Sequence, residues 1–471
     1  MMRHILPIFL LVAVFSSACE PESEQITASS GVQLTFSEDT VLFDTLLSSR
    51  TSITKRLRIF NPNSKAVRID EIKMGSGGRS EFSMIVNGKS GVRVRDEVLN
   101  GGDSLLILVD VLVDPQDQNL PYLVKDSVVV SWGNQSAFVR LVAYGQDAHF
   151  INSEVICDDT WTAERPYVIY NYAAIGENCT LTMEPGTRVF IDNGASLLVE
   201  GTLIMQGDSS NRILVRNTRF DEDYLEAPGQ WNGIVYLETS RNNVVSYADI
   251  ENGQIGLGVG YAFFTDGENT FLLPEISDNR VSIQIDHTSI RHMSTAGVLA
   301  FSSDVNMYNT EIYNAGGFLF GGFAGGNYQI DHCTMTNSSS FFINDDPMVQ
   351  FSNNLEHPTD IKLLEHLSLS MTNSIIWGEG ENQFFISDDN ESSIDTLLVS
   401  NIIQSKTEIA GNYTSIERNF PGFIDPFSFD FQLDSLAFAR DRGTQTAITD
   451  DLKGVARDNM PDIGAFERVD Q

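Results

Sequence analysis

Adjacent carboxylates and scattered arginines are the residues of this chain whose types could do chemistry. Three groups of adjacent acids are the candidates: Asp221-Glu222-Asp223, Asp345-Asp346 and Asp388-Asp389. Eliminative cleavage of a uronate polymer needs carboxylates that hold calcium and a basic side chain that takes the proton beside the uronate carboxyl. Three arginines could supply that base: Arg216, Arg219 and Arg291. Adjacent Asp residues, however, usually mark turns whose backbone they cap, so the sequence assigns no catalytic residue.

The charge of the chain is strongly acidic and unevenly distributed. The formal net charge is −34. Residues 1–150 hold 17 acids and 14 Lys or Arg (−3), and residues 151–471 hold 47 acids and 16 Lys or Arg (−31). This field repels nucleic acid and anionic membranes, so we expect no nucleic-acid partner. It also opposes a polyuronate unless calcium bridges the two, which leaves calcium open as a cofactor.

A six-residue phrase returns through the second half of the chain. Its copies are Val245–Ile250, Ile285–Ile290, Met307–Ile312, Ile330–Met335, Met371–Ile376 and a shortened Val399–Ile403. Self-similarity at a fixed period marks an architecture whose units bury their apolar side by stacking. The aliphatic ends suit two short strands that meet at a corner, with an Asn-like third residue turning the chain. This pattern predicts a parallel β-helix.

Histidines occupy positions of the phrase where sister copies have asparagine. His287 and His332 align with Asn309, Asn373 and Asn401. We therefore predict that these histidines turn corners and do not transfer protons. The same relation links one more histidine to three asparagines: His292 to Asn252, Asn314 and Asn337.

Aromatic residues near the repeats are candidate ligand contacts. One group lies in the insertion that lengthens a repeat, and the other lies in a glycine-aromatic run: Tyr261, Phe263 and Phe264, then Phe318, Phe320 and Phe323. Glycan-binding surfaces commonly offer flat aromatics beside amides and carboxylates. The alternative is that these rings fill the interior or pack a loop against it.

Two of the four cysteines suit a disulfide. Cys157 and Cys179 are 22 residues apart, about one repeat, which could place them on adjacent coils about 4.8 Å apart. Disulfides need Cα atoms about 4.4–6.8 Å apart, so the bridge is an expectation. Cys333 lies inside a phrase and is expected to be an inert buried thiol. No Cys/His spacing predicts a zinc site.

The N-terminus has the features of an export signal. Arg3 and His4 precede an apolar stretch, Ile5–Phe15, that is too short to span a membrane. Ser16-Ser17-Ala18-Cys19 then resembles a bacterial lipobox, although Ser16 stands where an aliphatic residue is usual. The acidic residues that follow resemble the tether of Bacteroidetes-type surface lipoproteins. The resemblance implies removal of residues 1–18, lipidation of Cys19, a tether over 19–31 and an outer-membrane, cell-surface location. The lipid anchor would then be the protein's one membrane contact.

Residues 32–148 and 149–471 show two different strand patterns. The first segment has short alternating strands separated by turn signals such as Asn61-Pro62-Asn63. It resembles the immunoglobulin-like sandwiches that serve as spacers in envelope proteins. The second has glycine-punctuated strands such as Leu197-Leu198-Val199. It resembles the right-handed parallel β-helix of the pectate-lyase-like superfamily over residues 149–420. The predicted fold class is therefore all-β, an immunoglobulin-like β-sandwich followed by a right-handed parallel β-helix.

The C-terminal segment, residues 421–471, resembles the closing segment of one branch of that superfamily. It carries Gly454-Val455-Ala456-Arg457 and Asp462-Ile463-Gly464-Ala465-Phe466-Glu467 in order. These motifs indicate the architecture but say little about activity, because proteins with this fold include lyases, hydrolases, adhesins and stalks. Of the elements of a polygalacturonase-like site, Asn344-Asp345-Asp346 matches only Asn-x-Asp, and the chain has no Gly-His pair.

Three functions follow in order of support. The first is non-catalytic binding of a polysaccharide or another surface protein. The second is a polysaccharide lyase or glycoside hydrolase with an atypical site. The third is a structural stalk.

Overall fold

The chain folds into β-structure throughout the part that the computed structural model describes. That part comprises residues 26–27, 32–49, 51–261, 263–265, 270–272, 279–337, 342, 346–356, 362–416 and 420–469. The predicted signal peptide, Cys19 and all of the tether except residues 26–27 lie outside it. Strands make up 55% of the structure and helix 2%, which confirms the all-β prediction. Within the described residues, none of the helices is long and apolar enough to cross a membrane.

The chain divides into two compact units, residues 1–147 and 148–471. The strands of the first unit are β1 (Ile26–Thr27), β2 (Thr35–Phe36), β3 (Thr40–Leu47), β4 (Lys55–Phe60), β5 (Ala66–Met74), β6 (Phe82–Val86), β7 (Lys89–Ser90), β8 (Arg93–Leu99), β9 (Ser104–Val111), β10 (Tyr122–Trp132) and β11 (Gln135–Gln146). A 3₁₀ turn lies at Gly77–Arg79.

Two sheets share one core in the first unit. One sheet has the order β1-β5-β10-β11-β3 with β8 beside β5, and the other has the order β2-β4-β9-β6-β7. Strand β9 shows why the sequence folds this way, since its residues alternate between the core and the outside. Its buried Ile107 joins one apolar cluster with Leu141 of the other sheet.

The strands of the second unit are β12 (His149–Ile156), β13 (Asp159–Trp161), β14 (Tyr167–Ile175), β15 (Thr180–Met183), β16 (Arg188–Ile191), β17 (Ser196–Val199), β18 (Thr202–Gln206), β19 (Ile213–Asn217), β20 (Gly233–Leu237), β21 (Asn243–Ser246), β22 (Ala248–Glu251), β23 (Ile255–Tyr261), β24 (Phe263–Thr265), β25 (Thr270–Leu272), β26 (Ser282–Asp286), β27 (Ser289–Met293), β28 (Ala296–Tyr308), β29 (Glu311–Ala315), β30 (Phe318–Asp331), β31 (Thr334–Thr336), β32 (Val349–Ser352), β33 (Asn354–Glu356), β34 (Lys362–Leu364), β35 (Leu367–Thr372), β36 (Ile375–Trp377), β37 (Phe384–Ser387), β38 (Ile394–Val399), β39 (Ile402–Gln404), β40 (Tyr413–Ser415), β41 (Phe423–Asp425) and β42 (Asp430–Leu433). Two 3₁₀ turns lie at Glu222–Tyr224 and Pro426–Ser428.

Twenty-five of these strands form one parallel sheet. Each strand from β15 to β20 pairs with the strand three places later, as β15 does with β18 and β18 with β21. The remaining six strands form the hairpins β24–β25, β33–β34 and β41–β42. A chain that returns in parallel register after every three strands is compatible with a β-helix.

The register places the repeated phrases on top of one another. The sixth residue of each phrase forms a continuous row through paired strands: Ile250, Ile290, Ile312, Met335, Ile376 and Ile403. All six side chains are fully buried. Burying each aliphatic side chain stabilises the fold by about 1.5–3 kcal/mol, so the stacked phrases form the core of the unit.

The third residue of each phrase turns a corner in the left-handed region. Its φ is positive in six successive copies: Tyr247 (49°), His287 (45°), Asn309 (46°), His332 (50°), Asn373 (51°) and Ser400 (56°). The prediction that Asn401 turns the last corner is therefore wrong. Met371 pairs with Leu398, so the last copy is complete and begins one residue earlier than its asparagine suggested. Asparagine favours the left-handed region more than serine does, but strand pairing fixes the register.

The closing segment is held through a buried arginine. Arg457 donates from Nη2 to Asn309 Oδ1 at 3.0 Å and from Nε to Asp450 O at 2.8 Å. Its Nη1 lies 3.2 Å from Glu467 Oε2, and both side chains are almost fully buried. Glu467 Oε2 also accepts from the Asp462 backbone at 2.8 Å. The Arg457 and Asp462-to-Glu467 motifs thus fasten this segment to a corner of the stack.

Candidate functional site: a polar groove

A groove of about 600 Å³ lies on the outer face of five paired strands, β21, β26, β28, β30 and β35. On β26, β28, β30 and β35, alternation along the strand sends apolar residues inward and polar residues into the groove, whereas β21 presents Val244 there. The polar side chains that line it are Asn242, Ser282, Gln284, Asp304, Asn306, Asn327, Gln329, Ser368 and Ser370, whereas the side chains of Asn243 and Tyr328 are buried. Of the residues that the structure describes, none that lines the groove is Lys or Arg.

Two in-register rows run along the groove. The central row consists of Gln284, Asn306, Gln329 and Ser370. A second row beside it consists of Ser282, Asp304, Asn327 and Ser368. Successive members lie about 4.8 Å apart, the spacing of paired strands. The groove therefore presents hydrogen-bonding side chains at a constant repeat.

A third row of side chains borders the central row on its other side. Its members are Asp286, Tyr308, Asp331 and Thr372. Gln284 Nε2 donates to Asp286 Oδ2 at 2.9 Å and to the Tyr308 hydroxyl at 3.3 Å. Gln329 Nε2 donates to Asp331 Oδ2 at 3.4 Å. These bonds hold the amide groups of Gln284 and Gln329 in place.

The carboxyls of the third row differ in their pKa. Burial raises the pKa of Asp331 above its usual range. Burial would also raise the pKa of Asp286, but hydrogen bonds from His287, Ser246 and Gln284 outweigh it and lower that pKa.

An ion-pair cluster borders the second row. Asp304, whose side chain is 44% exposed, accepts from Asn327 Nδ2 at 2.8 Å and lies 3.5 Å from Arg280 Nη1. Arg280 also pairs with Glu365 through Nε at 3.0 Å, and the Ser302 hydroxyl bonds the other oxygen of Glu365. Two carboxylates thus neutralise this arginine.

The aromatic residues predicted as ligand contacts lie apart from the groove lining. Tyr261 is 3% exposed and Phe320 is fully buried, so neither ring can meet a ligand at the surface. The prediction that Tyr261 and Phe320 contact a ligand is therefore wrong. Burying an aromatic ring stabilises the fold more than leaving the ring exposed to solvent. Tyr261 is buried against Gly258, and Phe320 is buried in the core.

For the other four aromatic residues, contact with a ligand stays a prediction. Phe318 and Phe323 are half-buried and contact each other at a ring distance of 5.4 Å. The backbone of Phe263 and Phe264 belongs to the hairpin β24–β25, but their side chains lie outside the described structure.

The arginines considered as bases hold carboxylates. Arg291 Nη1 lies 3.2 Å from Asp249 Oδ1, and its Nη2 pairs with Glu251. Arg216 lies 3.9 Å from the other oxygen of Glu251. Arg219 pairs with Asp221 through two bonds of 2.9 Å. A guanidinium held in this way is a poor proton acceptor.

The adjacent acids lie in turns where the structure describes them. Asp388 Oδ1 accepts from Asn353 Nδ2 and from the Asn390 backbone, and Asp389 Oδ1 accepts from the Glu391 backbone. Asp345 lies outside the described residues. Over the described ranges, no group of three or more His, Cys, Asp or Glu side chains could hold a metal ion. Calcium binding stays a prediction.

The structure joins the two cysteines that the repeat spacing brought together. Cys157 and Cys179 form a disulfide with Cα atoms 4.7 Å apart. Cys333 is a free and fully buried thiol whose Sγ donates to Asp331 O at 3.3 Å. Burial raises the pKa of this thiol well above its usual range, so Cys333 is unreactive.

The groove was not predicted from the sequence. An amide directly precedes three copies of the phrase, at Gln284, Asn306 and Gln329. That position is the signal that could have predicted the central row, since like residues stack on like in a repeat architecture.

No protein-family model matches the sequence, and no curated protein matches it significantly. Among solved structures, the ASH/PapD-like domain of human CEP192 matches at 12% identity and a TM-score of 0.17, covering 28% of this chain and 94% of that one. A family 123 glycoside hydrolase from Clostridium perfringens matches at 6% identity and 0.18, covering 24% and 25%. The Vibrio cholerae VesB protease matches at 15% identity and 0.17, covering 24% and 31%. Likenesses of this size carry no argument about function.

Proposed function

We propose that this chain is a lipid-anchored cell-surface protein that binds a polysaccharide in the polar groove without cleaving it. In this proposal the 25-stranded sheet is a right-handed parallel β-helix, and the two-sheet unit is an immunoglobulin-like spacer. The anchor rests on the lipobox-like Ser16-to-Cys19 sequence.

The observation that carries the proposal is the central row of Gln284, Asn306, Gln329 and Ser370. Amides and hydroxyls both donate and accept hydrogen bonds, as sugar hydroxyls do. A polysaccharide repeats its hydroxyls along an extended chain, and the row repeats its partners along the stack. A polymer lying along the row would therefore meet a similar contact at each coil.

Two features favour binding over cleavage. The arginines that a lyase would need as bases hold Asp249, Glu251 and Asp221 in ion pairs. The carboxyls beside the groove are engaged too, since Asp286 and Asp331 accept from the glutamines of the central row.

The test is a screen of the purified chain against a panel of polysaccharides, with binding and release of new chain ends scored separately. Gln329→Ala should weaken binding about fivefold, because one hydrogen bond contributes about 1 kcal/mol. Gln350→Ala is the matched control, because Gln350 lies on β32, outside the groove lining. Equal losses in both variants would place the binding site elsewhere, and new chain ends would support the enzyme.

The anchor is tested separately. Cys19→Ser should release the protein from the membrane fraction, and protease added to intact cells should cut the wild type. Retention of the variant in membranes would contradict lipidation at Cys19.

A further inference from the structure

We infer that the polar groove selects an uncharged polysaccharide and rejects polyuronates and sulfated glycans, with Asp304 as the residue that sets this selectivity. The inference rests on the proposed binding function and names the class of its ligand.

The charge of the groove is the first reason. Its described lining has one acid, Asp304, and no base. The bordering row adds Asp286 and Asp331. Nearby Arg280 is matched by Asp304 and Glu365. A ligand carboxylate or sulfate in the groove would face like charge, and none of the described lining residues is a Lys or Arg that could offset it.

The position of Asp304 is the second reason. Its carboxylate belongs to the row next to the central amides and is fixed there by Asn327 and Arg280. A carboxylate only accepts hydrogen bonds, so it suits the hydroxyl or amide N–H of a sugar. It has no favourable contact to offer a ligand anion.

A neighbouring cavity provides the alternative that the test must exclude. It has a volume of about 160 Å³ and is lined by Arg241, Arg280, Glu238 and Ser302 among others. Arg241 donates to backbone carbonyls, including Ser240 O at 2.8 Å. Within the described residues it forms no ion pair at salt-bridge distance. An acidic sugar could bind in this cavity instead of in the groove.

The experiment uses the full chain and pairs of ligands with one backbone. Each neutral polysaccharide that binds is compared with its C6-oxidised form, in which primary hydroxyls have become carboxylates. The oxidised form should bind at least about tenfold more weakly at low ionic strength. The difference in affinity between the neutral and the oxidised form should decrease as salt is added, because salt screens exposed charges over about 10 Å at 0.1 M.

Asp304→Asn should bring the two affinities together, because it removes the charge and keeps the shape of the side chain. Glu154→Gln is the control, with the same change of net charge on the distant strand β12. The salt dependence of the wild type tests the inference even if Asp304→Asn does not fold.

Three results would overturn this selectivity. They are equal or tighter binding of the oxidised form, with or without calcium; an unchanged affinity ratio in Asp304→Asn; and uronate binding that disappears in Arg241→Ala. Failure of every neutral and acidic polymer to bind would instead reject the proposed function on which the inference rests.

Discussion

Replacement of His332 by Asn should make the protein less sensitive to mild acid. His332 turns a corner of the stack and is fully buried. The amide of Asn373 is oriented by the Thr444 backbone, which accepts from Nδ2 at 2.7 Å and donates to Oδ1 at 2.8 Å. Asn373 Nδ2 therefore donates to His332 Nε2, at 2.9 Å, and the imidazole is held neutral. Burial, with a smaller contribution from Arg457, lowers the pKa of His332 from 6.5 to about 3.

The size of the effect follows from linkage. Between pH 7 and pH 5 the unfolded chain takes up a proton at this histidine, whereas the folded chain does not. The unfolded state therefore gains stability as the pH falls below 6.5, and the free energy of unfolding drops by about 2 kcal/mol by pH 5. Asparagine does not titrate, and it fills the same corner at Asn309 and Asn373. His332→Asn should therefore unfold with nearly the wild-type free energy at pH 7 and lose about 2 kcal/mol less by pH 5.

The assay is urea unfolding of the wild type and the variant at both pH values. His149→Asn is the control, because His149 is exposed at the start of β12. The carboxylates titrate in the wild type and in both variants, so their contribution to the loss of stability cancels when the proteins are compared. Equal loss of stability in the wild type and His332→Asn would refute a buried neutral imidazole. A loss of several kcal/mol in the variant at pH 7 would show that the corner does not accept asparagine.

Three further substitutions test the stack and its closing segment. Replacing Cys157 and Cys179 by Ala should lower the free energy of unfolding by about 3 kcal/mol, because the disulfide closes a 22-residue separation; reduction of the wild type should match this loss in a chemical unfolding curve. Arg457→Ala should cost about 3–5 kcal/mol, since it leaves the Glu467 carboxylate buried without its partner. Limited proteolysis should then remove the closing segment first, and wild-type protease resistance would contradict this. Ile312→Asp should prevent stable folding, because it buries an unpaired charge in the stacked row; a cooperative melt near the wild-type temperature would show that Ile312 does not face the core.

The repeated phrase predicted most of the corner geometry because its signal is periodic. The aliphatic ends can face only the interior, and an Asn or His between them marks the left-handed turn. The same reasoning failed at Asn401, where the asparagine is one residue past the corner at Ser400. Residue preference is local, whereas register is set by pairing with the whole preceding strand.

The candidate site was predicted less well for a related reason. Aromatic residues such as Tyr261 and Phe320 are typical of both ligand surfaces and cores, and only the packed structure shows that these two are buried. The groove arises from polar residues such as Asn306 and Gln329, whose signal in the sequence is their position directly before a copy of the phrase. They become a row only after stacking brings them together.

The fastening of Asn309 by Arg457 has a consequence for how the protein folds. These residues are 148 positions apart, and non-local contacts of this kind slow folding because the intervening chain must be ordered first. During synthesis, the coil around Asn309 emerges well before Arg457 does, so this corner keeps an amide oxygen without its guanidinium partner while the later coils form. The stack can therefore grow coil by coil, but it reaches its full kinetic resistance to unfolding only when the closing segment docks.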